Sequence, residues 1–136
     1  MAIADVLSSE YLSENPLESS LIERLTVESM TEDELNALPV GIIQLDCDGQ
    51  ILSYNDYESN FAGVNKVKAV GRNFFTQLAP CTNVQAFHGR FKEGVARKDL
   101  RETFRYRFNF KPPRDVAITL FYSGVTESVW VFVRPL

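Results

Sequence analysis

The chain has little with which to build a metal centre or a disulfide framework: two cysteines, Cys47 and Cys81, and a single histidine, His88, in 136 residues. The cysteines lie far apart and show no metal-ligand spacing, which argues against a disulfide framework or a zinc site and makes reduced thiols the expectation. Positive charge is also scarce. Fourteen Lys and Arg against eighteen Asp and Glu give a net charge of −4 and an isoelectric point near 5.0, which argues against nucleic acid or an anionic membrane as partner, since both need clustered bases. No apolar run approaches the roughly 18 residues of a membrane span, and the N-terminus carries acids where a secretory signal carries bases. A cytoplasmic protein with no membrane attachment is expected. Internal repeats and low-complexity tracts are absent.

What the chain does have is apolar and aromatic material: 45% hydrophobic residues, ten of them phenylalanine. That suits one domain with a real core. Residues 1–37, rich in Ser and Glu, read as an N-terminal helical cap or extension, and 38–136 as the domain proper. Leu17, Leu21, Ile22 and Leu25 are spaced like one helical face, with Ser19 or Ser20 as a cap, and Thr31 followed by Glu34 forms a capping-box pattern. A partly disordered tail is the alternative for this segment. From Gly41 the texture changes. Ile42 to Leu45 and Ile51 to Tyr54 read as strands around a glycine-containing hairpin turn, and Asp56 to Val70 as short helices and loops. Asn83 to Lys98 reads as a helix with Phe87, Phe91, Val95 and Val84 on one face. Strands follow near Glu102 to Phe110, Asp115 to Tyr122 and Glu127 to Arg134. The layout predicts an α+β fold with a central five-stranded antiparallel sheet, helices on one face and the N-terminal cap.

Cys81 is the most informative residue for function. It follows Phe74, Phe75 and Pro80 on a loop, in a stretch from Asn73 to Thr82 that begins about twenty residues after Tyr54. A thiol in that setting can hold a covalent group while the upstream Tyr and Glu meet its far end. Taken singly, Cys81 reads as a small buried hydrophobe, Tyr54 as a strand aromatic and Glu58 as a solvated helix residue. Cys47 sits in a turn and is expected to be exposed.

Gly41-Ile42-Ile43-Gln44-Leu45-Asp46, Tyr54-Asn55 with Glu58, Gly71-Arg72-Asn73-Phe74-Phe75, Ala79-Pro80-Cys81-Thr82, Phe91-Lys92-Glu93-Gly94-Val95-Ala96 and Trp130-Val131-Phe132-Val133 together resemble the photoactive yellow protein family, blue-light receptors of the PAS superfamily. The resemblance runs from about Leu38 to Val133. It implies a PAS-like fold and trans-4-hydroxycinnamic acid (p-coumaric acid) covalently bound to Cys81 as a thioester. It also implies Tyr54 and Glu58 at the phenolic end, Phe74 and Phe108 against the ring, and the Cys81 backbone N–H donating to the thioester carbonyl. Trans-cis isomerisation followed by proton transfer from Glu58 would then drive a conformational signalling change. Two pocket positions where family members often carry threonine and arginine are Ala62 and Val64 here, which predicts a less polar surround for Tyr54. Pro112 and Phe110 replace a methionine and a tyrosine, which predicts slow thermal recovery. The resemblance implies no catalytic residues, an unidentified downstream signalling partner, and a monomer or weak dimer. Two alternatives remain at this level. One is a PAS binding or dimerisation module without chromophore, and the other a thiol enzyme pairing Cys81 with His88.

Overall fold

The computed structural model describes residues 27–110 and 112–136. Leu17, Leu21, Ile22 and Leu25, with the Ser19 or Ser20 cap, lie outside them. The first described helix, α1 (Glu32–Asn36), begins as the Thr31 and Glu34 pattern predicts. Glu34 N–H donates to Thr31 Oγ1 at 3.2 Å and Thr31 N–H to Glu34 Oε1 at 2.9 Å, closing a capping box.

Five antiparallel strands form one sheet: β1 (Gly41–Leu45), β2 (Ile51–Tyr54), β3 (Arg101–Phe108), β4 (Arg114–Ser123) and β5 (Ser128–Pro135), in the order β2-β1-β5-β4-β3. The β1–β2 turn closes with Gly49 N–H donating to Asp46 O at 3.0 Å, and Gly49 takes φ +91°, a conformation that side chains disfavour. Between β2 and β3 run α2 (Asp56–Ala62), α3 (Lys66–Ala69) and α4 (Arg90–Arg97). The stretch expected as one helix over 83–98 is composite. A π-helical turn occupies Gln85–Gly89 before α4, and Val84, extended at φ −137°, ψ 160°, is exposed and leaves the apolar face. Strand β3 ends at Phe108, two residues short of the expected bound.

The strands alternate and so feed two cores. On the inner face Ile43, Ile118 and Val131 of the sheet meet Phe74, Phe75, Phe87 and Phe91. On the outer face Ile42, Phe121, Trp130 and Phe132 meet Val27, Leu35, Leu38 and Val40 from the segment ahead of β1. Trp130 thus packs beneath the N-terminal segment. Each large side chain so buried stabilises the fold by about 1.5–3 kcal/mol. No helix among the described residues is long and apolar enough to cross a membrane.

Candidate functional site

Glu58 sits in the first turn of α2, where the helix meets β1. Its backbone N–H donates to Asn55 Oδ1 at 3.0 Å, so Asn55 caps α2 and fixes where Glu58 points. The Glu58 side chain reaches the backbone of Gly41, and a Cβ added there would collide with the Glu58 carboxyl and come within 3.2 Å of Val133 Cβ. Glycine at 41 therefore gives the carboxyl its room. Glu58 is 2% exposed, and its Oε1 has no hydrogen-bond partner among the described residues. Desolvation pushes its pKa up to about 8, because burial disfavours the charged form. A solvated helix residue is excluded.

Tyr54 ends β2, is 5% exposed and belongs to the inner core with Phe74 and Phe108. Desolvation first, and then the Glu58 charge, hold its phenol well above the ordinary range. The two side chains that the family resemblance pairs are therefore both buried and electrostatically coupled. Val64 and Cys81 pack at the margin of the same core. Ala62, last residue of α2, is half-buried, and Pro80 is exposed.

Cys81 lies in a 3₁₀ turn, Pro80–Thr82, between two π-helical turns, Phe74–Leu78 and Gln85–Gly89. The first wide turn is seen in Leu78 N–H to Asn73 O at 3.0 Å and Ala79 N–H to Phe74 O at 2.8 Å. Cys81 is partly exposed, whereas Cys47 is exposed in the β1–β2 turn. A hydrogen bond from the Tyr106 phenol to the Cys81 carbonyl oxygen ties the turn to β3. His88 is engaged by other residues. Its ring stacks on Phe75 at 4.0 Å and 8°, and Nδ1 lies 2.7 Å from Asn83 Oδ1.

Asn55 and Tyr106 received no role from sequence reasoning. Buried Asn55 accepts from Ile42 N–H at 2.9 Å and donates through Nδ2 to Leu35 O at 2.9 Å and Val40 O at 2.8 Å. One side chain thereby joins α1, β1 and α2. The spacing of Asn55 to Glu58 is an N-cap signal and would have found the local half of this role. Tyr106 offered only strand alternation.

A cavity of about 440 Å³ opens away from Cys81, on the outer side of β1 and β2, lined by Val27, Leu35, Ile42, Leu52, Val67 and Trp130 among others. Tyr54 and Asn55 also touch its wall, whereas Cys81 and Glu58 do not. Chemistry and not cavity size locates the site. Among the described residues no His, Cys, Asp and Glu cluster could hold a metal ion.

The architecture is that of a PAS sensory domain, and the PAS fold family matches residues 29–135. Photoactive yellow protein of Halochromatium salexigens is 41% identical over 109 residues, covering 79% of this chain and 87% of its own. That of Rhodothalassium salexigens is 39% identical over 106 residues, covering 77% and 85%. Among solved structures, the photoactive yellow protein domain of the sensor histidine kinase Ppr from Rhodospirillum centenum superposes with a TM-score of 0.78 at 45% identity, over 82% of this chain and 98% of that one. The chain belongs to the photoactive yellow protein family of PAS domains.

Proposed function

We propose that this protein is a blue-light photoreceptor carrying trans-4-hydroxycinnamic acid as a thioester on Cys81, with Tyr54 and Glu58 at the phenolic end. The observation that carries the reading is Glu58 Oε1, a buried oxygen without a partner among the described residues. Leaving such an atom unsatisfied costs about 1–3 kcal/mol, and a ligand oxygen would remove that cost. The donor set fits the group. With its pKa raised to about 8, Glu58 is protonated at neutral pH and can donate to an anionic oxygen. Tyr54, held protonated by burial, can do the same. Two such charge-assisted bonds offset the desolvation of a buried anion.

When bound, the hydroxycinnamoyl group supplies blue-light absorption and a double bond able to isomerise. The chain supplies the rest. Phe74 and Phe108 give the aryl end an apolar enclosure, and Ala62 and Val64 add no further polar donor. Tyr106 holds the Cys81 carbonyl and with it the attachment turn. Glu58 holds the proton whose loss is the switch, because ionisation leaves a carboxylate uncompensated in the core. That penalty is several kcal/mol, comparable with the stability of a domain. Asn55 links the Glu58 helix to Leu35 and Val40, so the structure ahead of β1 is the part released, an order-to-disorder change. A downstream signalling protein would read that release.

Incubation with an activated 4-hydroxycinnamate, followed by intact mass and peptide mapping, tests the assignment. One adduct on Cys81 and a yellow product that bleaches under blue light are expected. Attachment to Cys47, or none in folded protein, overturns it.

A further inference from the structure

The cation Arg114 has an unusual position. It opens β4 directly across from Phe108 of β3, and cross-strand partners share a face. It therefore belongs to the inner, helix-covered side, while its neighbour Asp115 pairs across with Arg107. Arg90 and Arg107 have carboxylate partners, Glu102 and Asp115; Arg114 has none among the described residues. Its guanidinium lies instead over the Phe61 ring, 5.1 Å from the centroid.

Phe61 closes a row of rings. It meets Phe110 edge-on at 6.0 Å and 66°; Phe110 stacks on Phe108 at 5.0 Å and 4°; Phe108 meets Tyr106 at 5.8 Å and 76°. The row begins at Tyr106, whose phenol holds the Cys81 carbonyl, and ends under Arg114. Phe61 and Phe110 are only partly buried, whereas Phe108 and Tyr54 behind them are buried. On the chromophore reading, an aryl group attached at Cys81 and reaching Tyr54 and Glu58 enters the core that this row of rings borders. Phe61 on α2 and Phe110 beyond β3 belong to different elements, so the wall can part between them.

We infer that the Phe61–Phe110 pair is the entry gate of the aryl pocket and that Arg114 is the positioning residue that clasps it shut. The inference rests on the proposed chromophore reading. A cation–π contact at an exposed site holds the closed gate over the open one by about two- to fivefold, strong enough to bias the wall and weak enough to let it open.

The test compares two reagents at partly exposed Cys81 in unmodified protein: an activated 4-hydroxycinnamate, whose aryl end must enter, and iodoacetamide, which needs only to reach the sulfur. In the first, the sulfur–acyl bond forms as the bond to the activating group breaks, and the thiol proton passes to solvent. Arg114→Gln is expected to load the aryl group about two- to fivefold faster with an unchanged iodoacetamide rate, and Arg114→Lys to remain near wild type. Phe61→Leu should accelerate loading as well, and the double variant should gain little more, since both changes open one gate. Exposed Cys47 provides an internal reference for reagent concentration. Equal loading of Arg114→Gln and wild type overturns the gate, as does a parallel rise with both reagents. Failure of wild type and variants alike to load at Cys81 overturns the chromophore reading itself, and the gate with it.

Discussion

Changing pH on the chromophore-free protein perturbs Glu58 directly. Its carboxyl moves from an ordinary 4.5 to about 8 on folding, through desolvation. Below pH 4.5 folded and unfolded chains both hold the proton, and the group costs nothing. Between pH 4.5 and 8 the unfolded chain releases it while the folded chain keeps it, so stability falls as pH rises. At about 1.4 kcal/mol per pH unit the loss reaches about 5 kcal/mol by pH 8, a large share of a domain's stability of about 5–15 kcal/mol. Above pH 8 both states are ionised and the loss levels off. Glu58→Gln removes the titration while keeping the shape. Urea unfolding from pH 4 to 9 should show the two proteins similar near pH 4 and diverging steadily, with the variant's midpoint higher by about 2–4 M at pH 8 for a urea slope of about 1.5–2 kcal/mol/M. His88, whose pKa is lowered by desolvation and then by Lys92, titrates in both proteins and cancels in the difference. Parallel pH curves for wild type and Glu58→Gln would refute the burial argument and remove the basis for a proton switch.

Two further outcomes follow from neighbouring contacts. Asn55→Asp keeps the acceptor for Ile42 and Glu58 N–H but turns both donors, now facing Leu35 O and Val40 O, into an anion against two carbonyls; a loss of about 2–4 kcal/mol is expected at neutral pH, checked by urea unfolding, with hydrogen exchange rising first over Leu35 to Val40. Gly41→Ala sets a methyl against the Glu58 carboxyl and Val133; thermal unfolding should register about 1–3 kcal/mol of destabilisation, with partial relief when combined with Glu58→Ala.

Legibility in the sequence followed the range of each interaction. The Thr31 and Glu34 box was readable because both partners lie within one helical turn, and the strands because alternation is local. Phe87 and Phe91 are a helical step apart and were placed correctly. Val84 was not, since nothing in a short apolar pattern separates a π turn from an α turn. The burial of Glu58 is set by Gly41 on another element, and no local pattern makes an acidic helix residue buried; only the family resemblance singled it out. Asn55, Tyr106 and Arg114 act through Leu35, Cys81 and Phe61, partners that only the folded chain brings near.

The strand order carries a consequence for how the molecule is made. β5, last of the strands in sequence, is the middle one in space, and it pairs Val133 with Gly41 and Ile118 with Val133. As the chain leaves the ribosome, β1 with β2 and β3 with β4 can each zip as neighbours, but the two pairs share no edge until β5 emerges. Glu58 and Asn55 follow β2, so the proton-holding corner is assembled only by the longest loop closure in the fold, the slow kind of contact in folding kinetics. The joint of the sheet that closes last, β1 against β5, is the one beside Glu58.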